Sequence, residues 1–433
     1  MKSFRAAFTI VAAIAAGCGT VHAADGRVIQ ISPSVYMATD FGPSNSAIII
    51  GDEGLIVIDT HEGVRAAQEA HAAYREVTDL PVRAVIYTHA HRDHISGTRE
   101  FTGDDVVPVY ARANFTSDLV GDVALGRIMR ERTVGQFGLN LPANDRTDIG
   151  IGPYPRPDGN DSGHVPPSHR FATERESIDV AGVQLELVAA PGETDDQLYV
   201  WFPAERVLFP GDNFYAAFPN LYPIRGSRYR DVAAWADSLD KMRAESAMHL
   251  VPGHTAAISG ESEVNEALGN YAAAIRHVLD ETLAGMNTGT HPDKLVESIG
   301  LPPELADLPY LQERYGTVAW AVRSIFAGYL GWFDGNPTNL FALAPRQYAE
   351  KLADLAGGDD ALVQALDDAI TEEQFQWALQ LTDVLLERDV SQRPVVEHRV
   401  TALRALAAEQ DNSPARNYYL SQAVRLQGTL DND

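Results

Sequence analysis

Val82-Arg83-Ala84-Val85-Ile86-Tyr87 runs without a break into Thr88-His89-Ala90-His91-Arg92-Asp93-His94. The first six residues are rich in β-branched and aromatic side chains and read as a strand. The next seven carry four potential metal ligands, His89, His91, Asp93 and His94. Where a strand ends the backbone turns, so ligands this close in sequence converge on a small volume while the sheet behind them keeps them rigid. Histidines that merely satisfy loop backbone would not cluster in this way. A metal-binding loop at a strand end is therefore the expectation around which the rest of the chain is read.

Working outward, Ser46–Ile50, Leu55–Asp59, Val183–Val188 and Gln197–Phe202 are further short β-rich runs, and Gly63–Val77 and Asp231–Glu245 have helical spacing. The mixture predicts an α/β unit of sheets flanked by helices. Gly150–Ser168 is dense in Gly and Pro and reads as a long irregular loop, a kind of segment that often carries function. Beyond Pro252 the pattern turns helical, as in Thr317–Leu330, Glu373–Leu386, Val395–Ala408 and Ala415–Leu426. Gly285–Pro303 is expected to connect long helices. A chain of 433 residues exceeds what one core organises, since single cores stop growing near roughly 250–300 residues. The expected division is a catalytic domain over 24–260 and an all-α domain over 261–433.

Lys2 and Arg5, the apolar run Phe8–Ala16 and the Val21-His22-Ala23 end predict a signal peptide over 1–23, cleaved near Ala23, and hence a periplasmic or secreted protein. Lipid attachment through Cys18 is the alternative to simple cleavage. Cys18 is the sole cysteine, so after cleavage no thiolate ligand, cysteine nucleophile or disulfide is available, and a metal must be held by nitrogen and oxygen. Imidazole and carboxylate donors suit zinc, with manganese or iron as alternatives. The formal charge of −26 argues against nucleic acid as a partner, because phosphate binding needs a basic face. No other apolar run is long enough to span a membrane.

The HxHxDH pattern of His89–His94 resembles the metallo-β-lactamase superfamily. That resemblance implies an αββα sandwich with His89 and His91 on one metal and Asp93 and His94 on its neighbour. It also implies later ligands in a fixed order. Pro191-Gly192-Glu193-Thr194 stands where the superfamily usually has Pro-Gly-His-Thr, Gly211-Asp212-Asn213 would supply a bridging carboxylate, and Pro252-Gly253-His254 would close the second site. Asp59, at the end of its strand, is expected to fix a histidine tautomer from behind. Three carboxylates, Asp93, Glu193 and Asp212, would offset much of the charge of two divalent ions. With Glu193 in place of a neutral histidine, a less electrophilic site is expected. His61, His164, His169 and His249 are expected to be structural.

Other stretches are similar to the alkylsulfatase group, which hydrolyses sulfate esters of fatty alcohols with two zinc ions. These are Glu193 itself, Asn220-Leu221-Tyr222-Pro223-Ile224-Arg225-Gly226, Tyr329-Leu330-Gly331-Trp332-Phe333-Asp334-Gly335-Asn336-Pro337, and Asn417-Tyr418-Tyr419-Leu420. The resemblance implies a helical domain that dimerises and a small anionic ester as substrate, cleaved by a metal-bound hydroxide. Arg225 is the expected sulfate anchor, its guanidinium giving directional charged bonds, with Asn220 and Tyr222 as neutral donors. Asp93, or a bound water, would manage the proton. Tyr329, Trp332 and Phe333 could line an alkyl channel, but at helical spacing the core is their expected place. A different ester, a lactone, a phosphodiester or a β-lactam is the alternative substrate class, and a non-catalytic, metal-stabilised assembly module the remoter one.

Overall fold

A computed structural model describes residues 26–116, 125–155, 161–389 and 392–432. The expected signal peptide and Cys18 lie outside the described residues.

Two sheets face each other. The first holds seven strands in sequence order from Arg27–Gln30 to His169–Phe171, antiparallel up to Leu55–Ile58 and parallel after it. The second holds six, from Arg175–Val180 to Ile258–Ser259, antiparallel except where Val207–Phe209 pairs with His249–Leu250. Leu55–Ile58 and Leu198–Phe202 are buried along their whole length, as strands covered on both faces must be. Alternation decides which side chain meets which layer. Ile49, Ile56, Ile58, Ala84 and Ile86 pack between the sheets against Leu187, Leu198, Val200 and Phe209. Ile48, Val57 and Val85 face outward onto Ala67, Ala70 and Tyr74 of the Val64–Arg75 helix.

On the other outer face, Tyr199, Trp201 and Leu208 pack with Trp235 and Leu239 of the Val232–Ala244 helix and with Leu268, Tyr271 and Ile275 of Glu261–Asn287. This 27-residue helix therefore covers the second sheet. The result is the expected helix–sheet–sheet–helix sandwich followed by a helical region. Its later helices, including Asp359–Thr371, Phe375–Glu387, Gln392–Ala408 and Ser413–Asn432, share a separate apolar cluster around Leu366, Leu385 and Leu403.

Three local features differ from the sequence expectation. Gly285–Pro303 is not a plain connection, because Pro292–Ser298 forms a short helix inside it. Pro292 takes the first turn, where its missing N–H costs nothing, and His291 caps that turn by accepting from Asp293 N. Gly126–Phe137 is a helix that the sequence concealed, because its polar residues and two glycines blur the apolar stripe. Tyr329 and Trp332 are not core residues: they are 50% and 75% exposed. No helix among the described residues is long and apolar enough to cross a membrane.

Candidate metal centre

The metal-ligand candidates arrive from strand ends on both sheets. Val82–Ile86 delivers the His89–His94 loop, which closes in the single helical turn Arg92–Ile95. Glu193 follows Val183–Ala189, Asp212 follows Val207–Phe209, and His254 follows His249–Leu250.

Their donor atoms gather in two groups, His89, His91, Glu193 and Asp212 in one and Asp93, His94 and His254 in the other, with the atoms of each group within 4.8 Å of one another. In the first group Glu193 Oε2 lies 3.2 Å from His91 Nδ1 and 3.7 Å from His89 Nε2. In the second, Asp93 Oδ2 lies 3.3 Å from His254 Nε2 and 3.6 Å from His94 Nε2. Asp212 stands between them, 3.7 Å from His89, 3.3 Å from His94 and 3.1 Å from His254.

Backing interactions set which imidazole nitrogen faces inward. His94 Nδ1 meets Asp59 Oδ2 at 2.8 Å and His254 Nδ1 meets the Pro43 carbonyl at 2.7 Å, leaving each Nε2 for the cage. Asp59 also accepts from Thr88 N at 2.9 Å and from Thr88 Oγ1 at 2.8 Å, which ties it to the start of the ligand loop. Its backbone is left-handed, as is that of His61, so strain rare in non-glycine residues is held directly behind the site. Asn213 fixes the Glu193 segment from the other side, accepting from Glu193 N at 3.1 Å and donating to the Ala190 carbonyl at 2.7 Å.

Each of the three later candidates follows a glycine, and close approach explains all three: a Cβ on Gly192 would stand 2.2 Å from Asn213 Oδ1. A Cβ on Gly253 would stand 2.4 Å from Asp212 Oδ1. One on Gly211, already at positive φ, would stand 2.2 Å from Gln197 Nε2.

Glu193 Oε2, Asp212 Oδ1 and His94 Nε2 are buried in the cage and make no hydrogen bond. Carboxylate oxygens buried this way are costly unless a cation meets them. The donor set of imidazoles and carboxylates is one that divalent metals accept, so the residues present fit divalent metal binding. Without ions the cage balances itself with protons. Burial pushes His94 and His254 down, but Asp212 and Asp93 outweigh it, holding His94 well above its usual range and His254 at about 10. Burial raises Asp93 and Asp212, yet the same histidines hold both below the ordinary carboxylate range. His89 is pushed well down by burial and by His94.

Arg225 NH2 comes within 3.2 Å of His91 Nε2, at the half-buried rim, and its backbone N–H is held by Gln136 Oε1 at 2.9 Å. Asn220 is buried, with Oδ1 unpartnered, while Tyr222 is half-buried. Sequence reasoning missed Arg230. Its side chain is 4% exposed and NH1 donates to Glu193 Oε1 at 2.8 Å. Nothing in Tyr229-Arg230-Asp231 marks it, since the pairing spans 37 positions and follows no local period. The Arg230 guanidinium therefore sits directly against the Glu193 carboxylate, a cation that the sequence expectation for this site did not include. His61 bonds Ser46 Oγ and the Ser44 carbonyl, His249 bonds Ser259 Oγ, His169 bonds Ser168 Oγ, and His164 stacks on Tyr87.

Residues 39–254 match the metallo-β-lactamase superfamily model and residues 291–429 match the alkyl sulfatase dimerisation model. A linear primary-alkylsulfatase of Pseudomonas is 35% identical over 396 residues, which span 89% of this chain and 74% of that relative. An alkyl/aryl-sulfatase of Saccharomyces cerevisiae is 29% identical over 92% of this chain and 64% of its own length. The solved structure of a stereoselective inverting sec-alkylsulfatase of Pseudomonas superposes with a TM-score of 0.86 at 27% identity, over 93% of this chain and 66% of that one. The chain thus spans about two thirds to three quarters of the length of these relatives.

Proposed function

Since the chain belongs to the alkylsulfatase group of the metallo-β-lactamase superfamily, we propose that it hydrolyses sulfate esters of alkyl alcohols with two divalent ions, zinc by the chemistry of the donors. The observation that carries this reading is the convergence of seven donors on one cage with three buried atoms left without hydrogen bonds. On it, His89, His91 and Glu193 would hold one ion and Asp93, His94 and His254 the other, with Asp212, which stands between the groups, available to both. When bound, such ions acidify a coordinated water and neutralise developing negative charge.

The chain's own residues do the rest. Arg225 anchors the sulfate group by charged hydrogen bonds, and Asn220 and Tyr222 supply neutral contacts. Arg225 NH2 lies 3.2 Å from His91 Nε2, which places the guanidinium at the mouth of the cage, where it would meet an anionic group. Asp93 has the most solvent access of the three carboxylates, 28% against 3% and 4%, which suits it to pass a proton to water.

Residues 1–23 would direct export, and residues 261–433 would dimerise. Trp332, Leu340, Phe341, Leu343 and Tyr348 form an exposed apolar stretch in that region, a kind of surface that soluble chains usually cover. Sedimentation of the full chain should give twice the monomer mass; a strict monomer would overturn the dimer.

The test of activity is a substrate panel on zinc-loaded protein. Release of inorganic sulfate from an alkyl sulfate, lost in Asp212→Asn, is expected. Inertness toward alkyl sulfates with turnover of a lactone, phosphodiester or β-lactam would assign a different substrate class.

A further inference from the structure

Glu193 occupies a position where the superfamily's pattern uses a neutral imidazole, and the structure holds beside it a cation that such an imidazole would not need. Glu193 and Arg230 are 3% and 4% exposed, and Arg230 NH1 donates to Glu193 Oε1 at 2.8 Å and also to the Asn220 carbonyl. Glu193 Oε2 makes no hydrogen bond and faces His91 and His89. Two consequences follow. The guanidinium is permanently charged, so the pair carries no net charge. Arg230 also occupies one oxygen, so Glu193 offers the cage a single donor atom, as an imidazole does.

We propose that Arg230 is a positioning residue that makes Glu193 a surrogate for a histidine ligand, equal to it in net charge and in number of donor atoms. This rests on the two-metal reading above. A purely structural Arg230, propping the Asn220 loop through its carbonyl, would have no use for charge at this place. Beside two divalent ions, an arginine left without Glu193 would repel the metal.

The experiment is a double-mutant cycle on the full chain, read as zinc affinity by chelator competition rather than as turnover. Glu193→His alone leaves the guanidinium uncompensated and should weaken zinc binding at least about tenfold, the scale seen when groups behind metal ligands are altered. Adding Arg230→Met should restore affinity to within a few-fold of the parent. Arg230→Lys keeps the charge, so it should preserve affinity beside Glu193 yet fail to rescue Glu193→His. Arg230→Gln, which keeps a donor for the Asn220 carbonyl, replaces the Met variant if the latter does not fold. Additive losses, or a Glu193→His protein that binds zinc as well as the parent, would overturn the proposal. If the parent itself binds no divalent ion, the metal reading fails instead, so the two failures are distinguishable.

Discussion

Replacing Gly253 by alanine tests how tightly the cage is built. The added Cβ would stand 2.4 Å from Asp212 Oδ1 and 2.8 Å from His94 Cε1, where ordinary contact begins at 3.4 Å. Gly253 has no positive φ, so its own backbone accepts alanine and, beyond a tight 3.3 Å approach to the Gly211 carbonyl carbon, the effect falls on the two side chains. One of them must retreat by about 1 Å, a misplacement that costs on the order of 100-fold in rate when the displaced group is part of a reacting site. Overpacking should remove about 1–3 kcal/mol of stability, which leaves a folded protein. Zinc affinity by chelator competition and sulfate release, measured beside a thermal melt, should show both functions lost with the fold kept. The matched control is Gly428→Ala in the Ser413–Asn432 helix, where an added Cβ meets nothing within 4 Å. It should leave activity alone and raise stability by up to about 1 kcal/mol. A Gly253→Ala protein with parental zinc affinity and turnover would refute this picture of the site.

Asp59→Asn keeps shape but removes the charge facing His94 Nδ1, and zinc affinity should fall roughly 10–100-fold by equilibrium dialysis. Asp231 caps the Val232–Ala244 helix by accepting from Ala234 N at 3.0 Å; Asp231→Ala should cost about 1 kcal/mol in urea denaturation with metal content unchanged. In metal-stripped protein His254 is raised from 6.5 to about 10, so its contribution to stability is present below 6.5 and lost as the pH rises through about 10. The melting temperature of stripped protein should therefore fall over that window, and ions bound in place of the protons should remove the dependence.

The sandwich was legible because its strands are long in β-branched residues and its best ligand loop is contiguous. Leu55–Ile58 and Leu198–Phe202 announce themselves as buried runs. His249–Leu250 and Ile258–Ser259, at two residues each, carry no usable period. The ligand candidates beyond His94 could be read only through the order in which a family presents them, since Glu193, Asp212 and His254 stand in ordinary Gly-containing turns. Arg230 was invisible for a stronger reason: a buried ion pair is created by the fold and leaves no trace in its neighbours. Trp332 shows the opposite failure, since helical-region aromatics imply burial until the geometry shows that no element among the described residues covers this one.

The most direct test of the central claim is elemental analysis of the purified full chain after zinc loading and removal of free metal. Two zinc ions per chain, falling sharply in Asp212→Asn, is the expected result. A chain that retains no divalent ion, or one whose stoichiometry is indifferent to Asp212, would contradict it.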